Sequence, residues 1–193
     1  MSLIIDIETK PNLKLIETYL SNLTAPKNYK DEEKIKQYLA VKKDEVVKTL
    51  SIDQDYSEIA CIGVKEDDEL ARIVNFTELV ELLKKHDQII TFNGKSFDLP
   101  IILKQAMRNK VEIPTIKFKL WLKKWSSENH IDLCEWLAMG GTFKSLDNYL
   151  QIYLGVKKKE IDFQTCTDEE LKNHCAEDCE NTYKLYSLFK QYI

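Results

Sequence analysis

Two carboxylates stand two residues apart in an apolar stretch near the N-terminus, Leu3-Ile4-Ile5-Asp6-Ile7-Glu8-Thr9. Read as a strand, the stretch turns Asp6 and Glu8 to one face and Ile5 and Ile7 to the other. Two acids side by side repel each other, and a cation between them removes the repulsion. An edge strand with a solvated acidic face is the alternative. Two further acids bear on the choice. Asp98 directly precedes Leu99-Pro100 at a predicted helix start, where it fits an N-cap but also lies at the sheet edge where α/β proteins bind ligands. Asp178 sits inside the stripe Leu171, Cys175, Asp178, Thr182, Leu185 and Phe189, whose spacings of 4, 3, 4, 3 and 4 mark one helix face. An ionised acid on a buried face is costly unless it is paired or holds a metal; a stripe rotated by one position would leave it at the wet edge. His174 precedes Asp178 by one turn.

The elements that must position these groups follow from pattern. After the first strand, Lys10-Pro11 ends regular pairing, and residues 12 to about 50 read as helices, Leu13 to Leu23 and Asp31 to Leu50. The second is highly charged, with Ile35, Leu39, Val46 and Leu50 for packing, which predicts an exposed helical excursion. Glu58 to Val64 and Ala71 to Phe76 flank a charged turn as a hairpin; Thr77 is the expected cap of the next helix. Gln88 to Phe92 is a strand, a helix from Leu99 to Asn109 follows, and His130 to Leu133 is one more strand. Helix, turn and helix fill 135 to 154, and Thr167-Asp168-Glu169-Glu170 is a capping box opening the last helix. The order indicates an α/β domain with a mixed sheet: a hairpin on the first strand and parallel crossovers elsewhere.

Composition narrows the classes. A chain of 193 residues, 44% hydrophobic and 31% charged, fits one soluble globular domain, and no run approaches the ~20 apolar residues of a membrane span. Five cysteines without framework spacing suggest reduced thiols and an intracellular setting. Cys166, His174, Cys175 and Cys179 match no paired-cysteine zinc finger. The net charge of -4 argues against a surface that attracts nucleic acid everywhere. Local clusters stay open to two readings. Lys157-Lys158-Lys159, Lys95 and Lys117 to Lys124 line a nucleic-acid path with Trp121 and Trp125 stacking on bases, or they are solvated surface and core.

Asp6-Ile7-Glu8-Thr9, then Asn93-x-x-x-Phe97-Asp98, then Asp178 on a late helix resembles the DEDD superfamily of 3′–5′ exonucleases, whose fold is RNase H-like. Tyr29 to Ile62, His130-Ile131-Asp132-Leu133, Ser145-Leu146 and Leu154-Gly155 followed by lysines resemble the predicted exonucleases related to the proofreading domain of family-B DNA polymerases. The resemblance covers nearly the whole chain. It implies a single exonuclease domain over residues 1–193 with a helical insertion at about 12–50, and a mixed central sheet flanked by helices.

The resemblance also implies chemistry. Asp6, Glu8, Asp98 and Asp178 would hold two Mg²⁺ or Mn²⁺ ions, whose hard oxygen ligands suit them better than zinc. Two such ions roughly 4 Å apart supply a hydroxide and neutralise the leaving oxygen in phosphodiester hydrolysis. Asn93, Phe97, Lys95 and Thr9 are the residues expected to place the terminal nucleotide. The substrate is a strand with a free 3′ end, single-stranded DNA ahead of RNA. His174 departs from the pattern: the superfamily carries tyrosine four residues before the last aspartate or histidine five before it, and this chain has histidine at the tyrosine spacing. Its near-neutral pKa makes it the candidate general base. The rival expectation is a non-catalytic nucleic-acid-binding or regulatory module on the same scaffold.

Overall fold

The computed structural model describes residues 2–163 and 165–193; the side chains of Asp44, Val47 and Lys48, all three in the charged helix, lie outside the described residues. Two compact units emerge, Met1–Glu8 with Ala60–Ile193, and Thr9–Ile59.

The smaller unit carries α1 (Leu13–Ser21) and α2 (Glu32–Leu50). Asn12 caps α1 by accepting from the Leu15 amide, and Asp31 caps α2 by accepting from Glu33 and Lys34. Leu50 is the only described α2 side chain that is fully buried, as the sparse apolar pattern predicts. Polar and ring contacts do much of the binding: the Asn12 amide donates to Glu58 at 3.0 Å, and Tyr19 meets Tyr56 edge-on at 5.2 Å.

Among the described residues the strands are β1 (Ser2–Pro11), β2 (Ser57–Glu66), β3 (Arg72–Val74), β4 (Gln88–Thr91) and β5 (His130–Asp132), in the order β3-β2-β1-β4-β5. β2 and β3 are antiparallel, whereas β4 runs parallel to both β1 and β5. This is the mixed sheet the element order predicts. β1 pairs with β4 from Ser2↔Gln88 to Ile4↔Ile90, so Asp6 and Glu8 lie beyond the last pair, at the C-terminal end of β4. Ile4 joins Ile90, Ile131, Leu146, Tyr149, Leu150, Cys179 and Leu185 in one core. By the alternation of a strand, Asp6 and Glu8 share the face of β1 that this core covers.

The helices of this unit are α3 (Phe76–Lys85), α4 (Asp98–Asn109), α5 (Thr115–Trp121), α6 (Leu133–Ala138), α7 (Leu146–Leu154) and α8 (Asp168–Phe189). Two expectations need correcting. Asn75, not Thr77, caps α3, because its side chain reaches the Glu78 amide; the helix therefore starts at Phe76 and shortens β3. Asp98 is not a cap: Phe97 holds that position, and Asp98 is already helical. The capping box at Thr167 and Glu170 forms with both of its bonds.

β4 and β5 are tied by a chain of polar groups. The His130 Nδ1–H donates to the Trp121 carbonyl at 2.8 Å, which leaves Nε2 to accept from the Thr91 hydroxyl at 2.8 Å. That hydroxyl accepts in turn from the Gly94 amide at 3.0 Å. Gly94 is needed there, since a Cβ would fall 2.3 Å from Thr91 Oγ1. Burial lowers the His130 pKa from 6.5 to about 3, so the folded protein keeps the ring neutral. Between those pH values the unfolded chain binds a proton that the folded chain excludes, and acid therefore destabilises. This residue alone is expected to cost about 2 kcal/mol of stability between pH 7 and pH 5. Urea titrations of the wild type and His130→Asn at both pH values test it: the pH-dependent difference should shrink by that amount in the variant.

Candidate metal and nucleic-acid site

Three elements bring the four sequence-predicted acids together. β1 supplies Asp6 and Glu8, the first turn of α4 supplies Asp98, and the middle of α8 supplies Asp178. The Ile7 amide, between the two β1 acids, donates to Asp98 Oδ1 at 3.0 Å and fastens α4 to the strand. On the other side, the Cys175 thiol lies 3.5 Å from the Asp6 carbonyl. α8 approaches so closely because Gly63 of β2 has no side chain; a Cβ there would meet the Cys175 carbonyl and Cys179 Sγ at 2.9 Å each. Glu180 accepts from the Ala71 amide at 2.7 Å, and Tyr183 donates to Asp68 at 2.6 Å, holding the next turns of α8. Asp178 is 8% exposed, so the helical stripe has the register that buries it.

The electrostatics are those of a cluster short of positive charge. Burial raises Asp6 well above the ordinary carboxylate range, and Asp98, Asp178 and Glu8 add to the rise. Burial and Asp178 push Glu8 up to about 7, and burial carries Asp98 to about 8. Buried oxygens Asp6 Oδ2 and Asp178 Oδ1 have no hydrogen-bond partner. A set of carboxylate oxygens that repel one another, two of them unsatisfied, fits hard divalent cations. One positive group is already there: the Lys158 ammonium stands 2.5 Å from Asp178 Oδ2, while its backbone amide donates to Asp147 at 2.8 Å. The lysine run of the sequence thus sends one member into the acids.

His174 belongs to the same cluster. Its Nε2 is 3.9 Å from both Glu8 Oε1 and Asp178 Oδ2, and Phe163 packs edge-on against the ring at 5.5 Å.

A cleft of about 360 Å³ opens beside the acids, lined by Asp6 and Asp178 with Phe92, Asn93, Phe143 and Ser145. Asn93 takes a left-handed φ of 66°, a conformation asparagine adopts more readily than most residues. Asp132 holds it there: Oδ1 accepts from the Asn93 amide at 2.8 Å, and Oδ2 from the Lys95 amide at 2.9 Å. The same carboxylate caps α6 through the Cys134 and Glu135 amides.

The remaining expected residues are elsewhere. Phe97 sits half-buried at the start of α4 and does not line the cleft. The Lys95 amine is buried and bound to the Ser126 carbonyl and to Glu135. The Thr9 hydroxyl donates to the Ser51 carbonyl at 2.7 Å within the smaller unit. Trp121 is fully buried and donates to the Asp87 carbonyl, and Lys117 bonds the Lys84 and His86 carbonyls, so neither serves an open nucleic-acid path. Trp125 remains exposed. Sequence reasoning gave no role to Asp132, Phe143 or Phe163; the pairing of Asp132 with a following helix start is the one local signal, since aspartate there is a cap.

Residues 34–192 match the family described as predicted 3′–5′ exonucleases related to the exonuclease domain of PolB. The chain belongs to this family. No curated protein sequence matches it. Among solved structures, the family B DNA polymerase from the hyperthermophilic archaeon Pyrobaculum calidifontis is similar, with a TM-score of 0.59 and 14% identity. That match covers 97% of this chain and 24% of the polymerase, so the chain spans about a quarter of its length. At this identity the likeness carries the fold: a PolB-related, RNase H-like α/β exonuclease architecture with a mixed five-stranded sheet. No helix among the described residues is long and apolar enough to cross a membrane.

Asp132 is the strut of the cleft wall in this family member. Asp132→Ala removes a helix cap and strands buried amides, an expected loss of about 3 kcal/mol. Chemical denaturation of the wild type and the variant measures that loss.

Proposed function

We propose that this chain is a divalent-cation-dependent 3′–5′ exonuclease that shortens nucleic acid from a free 3′ end, single-stranded DNA ahead of RNA. One observation carries the reading: four acids from β1, α4 and α8 converge where burial, with neighbouring carboxylates adding to it, raises Asp6, Glu8 and Asp98, beside a cleft of nucleotide dimensions. Asp6, Glu8, Asp98 and Asp178 are the proposed cation-holding residues, for two Mg²⁺ or Mn²⁺ ions. Bound there, the ions would provide a hydroxide near neutral pH and offset charge on the leaving oxygen.

The chain's own part is positional. The Ile7–Asp98 bond fixes α4 against β1, so the carboxylates need no reorganisation at the moment of reaction. Asn93, held by Asp132, is the proposed member of the substrate set and offers its side-chain amide to the terminal nucleotide in the cleft. Lys95 drops out of it, because its charge is spent on Glu135. Residues 12–50 are read as a helical insertion within one exonuclease domain, carrying α1 and α2. Five unpaired cysteines agree with an intracellular setting.

A 5′-labelled single-stranded oligonucleotide with Mg²⁺ or Mn²⁺ tests the proposal. A ladder shortening from the 3′ end is expected, abolished by a blocked 3′ end and reduced about 100-fold or more in Asp6→Ala and Asp178→Asn. The Lys158–Asp178 pair favours one rival, a binding module whose acids are neutralised by lysine. Binding of the oligonucleotide without shortening in either metal would establish that rival instead.

A further inference from the structure

We propose that His174 is itself a metal ligand, forming with Glu8 and Asp178 a site that prefers a transition-metal ion such as Mn²⁺ to Mg²⁺. The inference rests on reading the acid cluster as a cation site, and it replaces the general-base role that the sequence suggests. Three ligand atoms, one each from Glu8, His174 and Asp178, lie within 4.8 Å of one another. Around an ion with ligands at about 2.1 Å, neighbouring donors stand about 3 Å apart and opposite ones about 4.2 Å. The two contacts of Nε2, 3.9 Å each, fall inside that range. A general base would instead stand one water further out.

The surroundings of the ring agree. The His174 side chain is 8% exposed, and its Nε2 faces two carboxylate oxygens at 3.9 Å, too far for a direct hydrogen bond to either. Its four-residue spacing from Asp178 puts both donors on one helix face, so a regular α8 delivers them as a chelating pair. Imidazole is a softer donor than carboxylate and shifts preference toward transition metals, whereas Asp6 and Asp98 remain an all-oxygen pair for a second ion. Lys158 completes the picture. Its ammonium touches the Asp178 oxygen nearest His174, so a metal ion must displace it, and the lysine sets how readily the site loads.

Mn²⁺ alone is the probe. Electron spin-echo modulation on the Mn²⁺-loaded wild type should show a directly bound nitrogen, a readout that needs neither a variant nor activity. In calorimetric titrations His174→Ala should weaken Mn²⁺ binding about 10- to 100-fold while changing Mg²⁺ binding much less. His174→Tyr, which restores the residue the superfamily carries at this spacing, should behave like the alanine variant toward Mn²⁺. Lys158→Met should tighten Mn²⁺ binding severalfold. No nitrogen modulation, or wild-type Mn²⁺ affinity in a folded His174→Ala that has lost its rate, overturns the proposal and returns the imidazole to water activation. If the nitrogen signal is present but oligonucleotides are not shortened, the ligand assignment stands and the nuclease reading fails.

Discussion

Mutual repulsion among Asp6, Glu8, Asp98 and Asp178 is the constraint around which this protein is built. Burial raises Asp6, Glu8 and Asp98, and neighbouring carboxylates add to the rise. A raised carboxyl pKa means that the folded state favours the protonated form, so ionising the cluster opposes folding. Cations remove the opposition, and binding free energy then becomes folding free energy. Such a cluster survives only if the remainder of the fold holds its three elements in place whether or not the charge is balanced.

The holding is done by backbone rather than by ion pairs. The Ile7 amide grips Asp98, the Asp6 carbonyl meets the Cys175 thiol, and Asp132 gathers the amides of the Asn93 loop and of α6. These bonds bring no formal charge into the cluster. Lys158 is the exception, and it is attached through an irregular segment rather than a helix or strand. A flexible side chain on such a segment can retreat, whereas the acids, on β1, α4 and α8, cannot. The site therefore combines fixed negative groups with one movable positive group.

Much of this was legible in the sequence because it depends on periodicity. The period of two in β1 puts Asp6 and Glu8 on one face, and the three-and-four spacing of α8 puts Asp178 within its apolar stripe, without any tertiary information. What was not legible depends on contacts distant along the chain. Asp98 resembles a cap until the Ile7 amide, 91 residues away in sequence, is seen to claim it. Lys117 and Trp121 looked like a basic aromatic path, and the carbonyls that bind them belong to Lys84, His86 and Asp87, at the other end of a long excursion. Lys158 was one of three adjacent lysines, and nothing local separates the one that turns inward from its two neighbours.

The missing side chain at Gly63 reaches further than local fit. Three positions, 63, 175 and 179, share a single layer of space between β2 and α8. None of them can grow alone without pushing α8 outward, and α8 carries both His174 and Asp178. Variation at these positions must therefore be concerted, with any gain in volume at one offset at another. Most of the chain can drift one residue at a time, but this layer ties the mutational freedom of β2, the strand beside β1, to the spacing of the acids themselves.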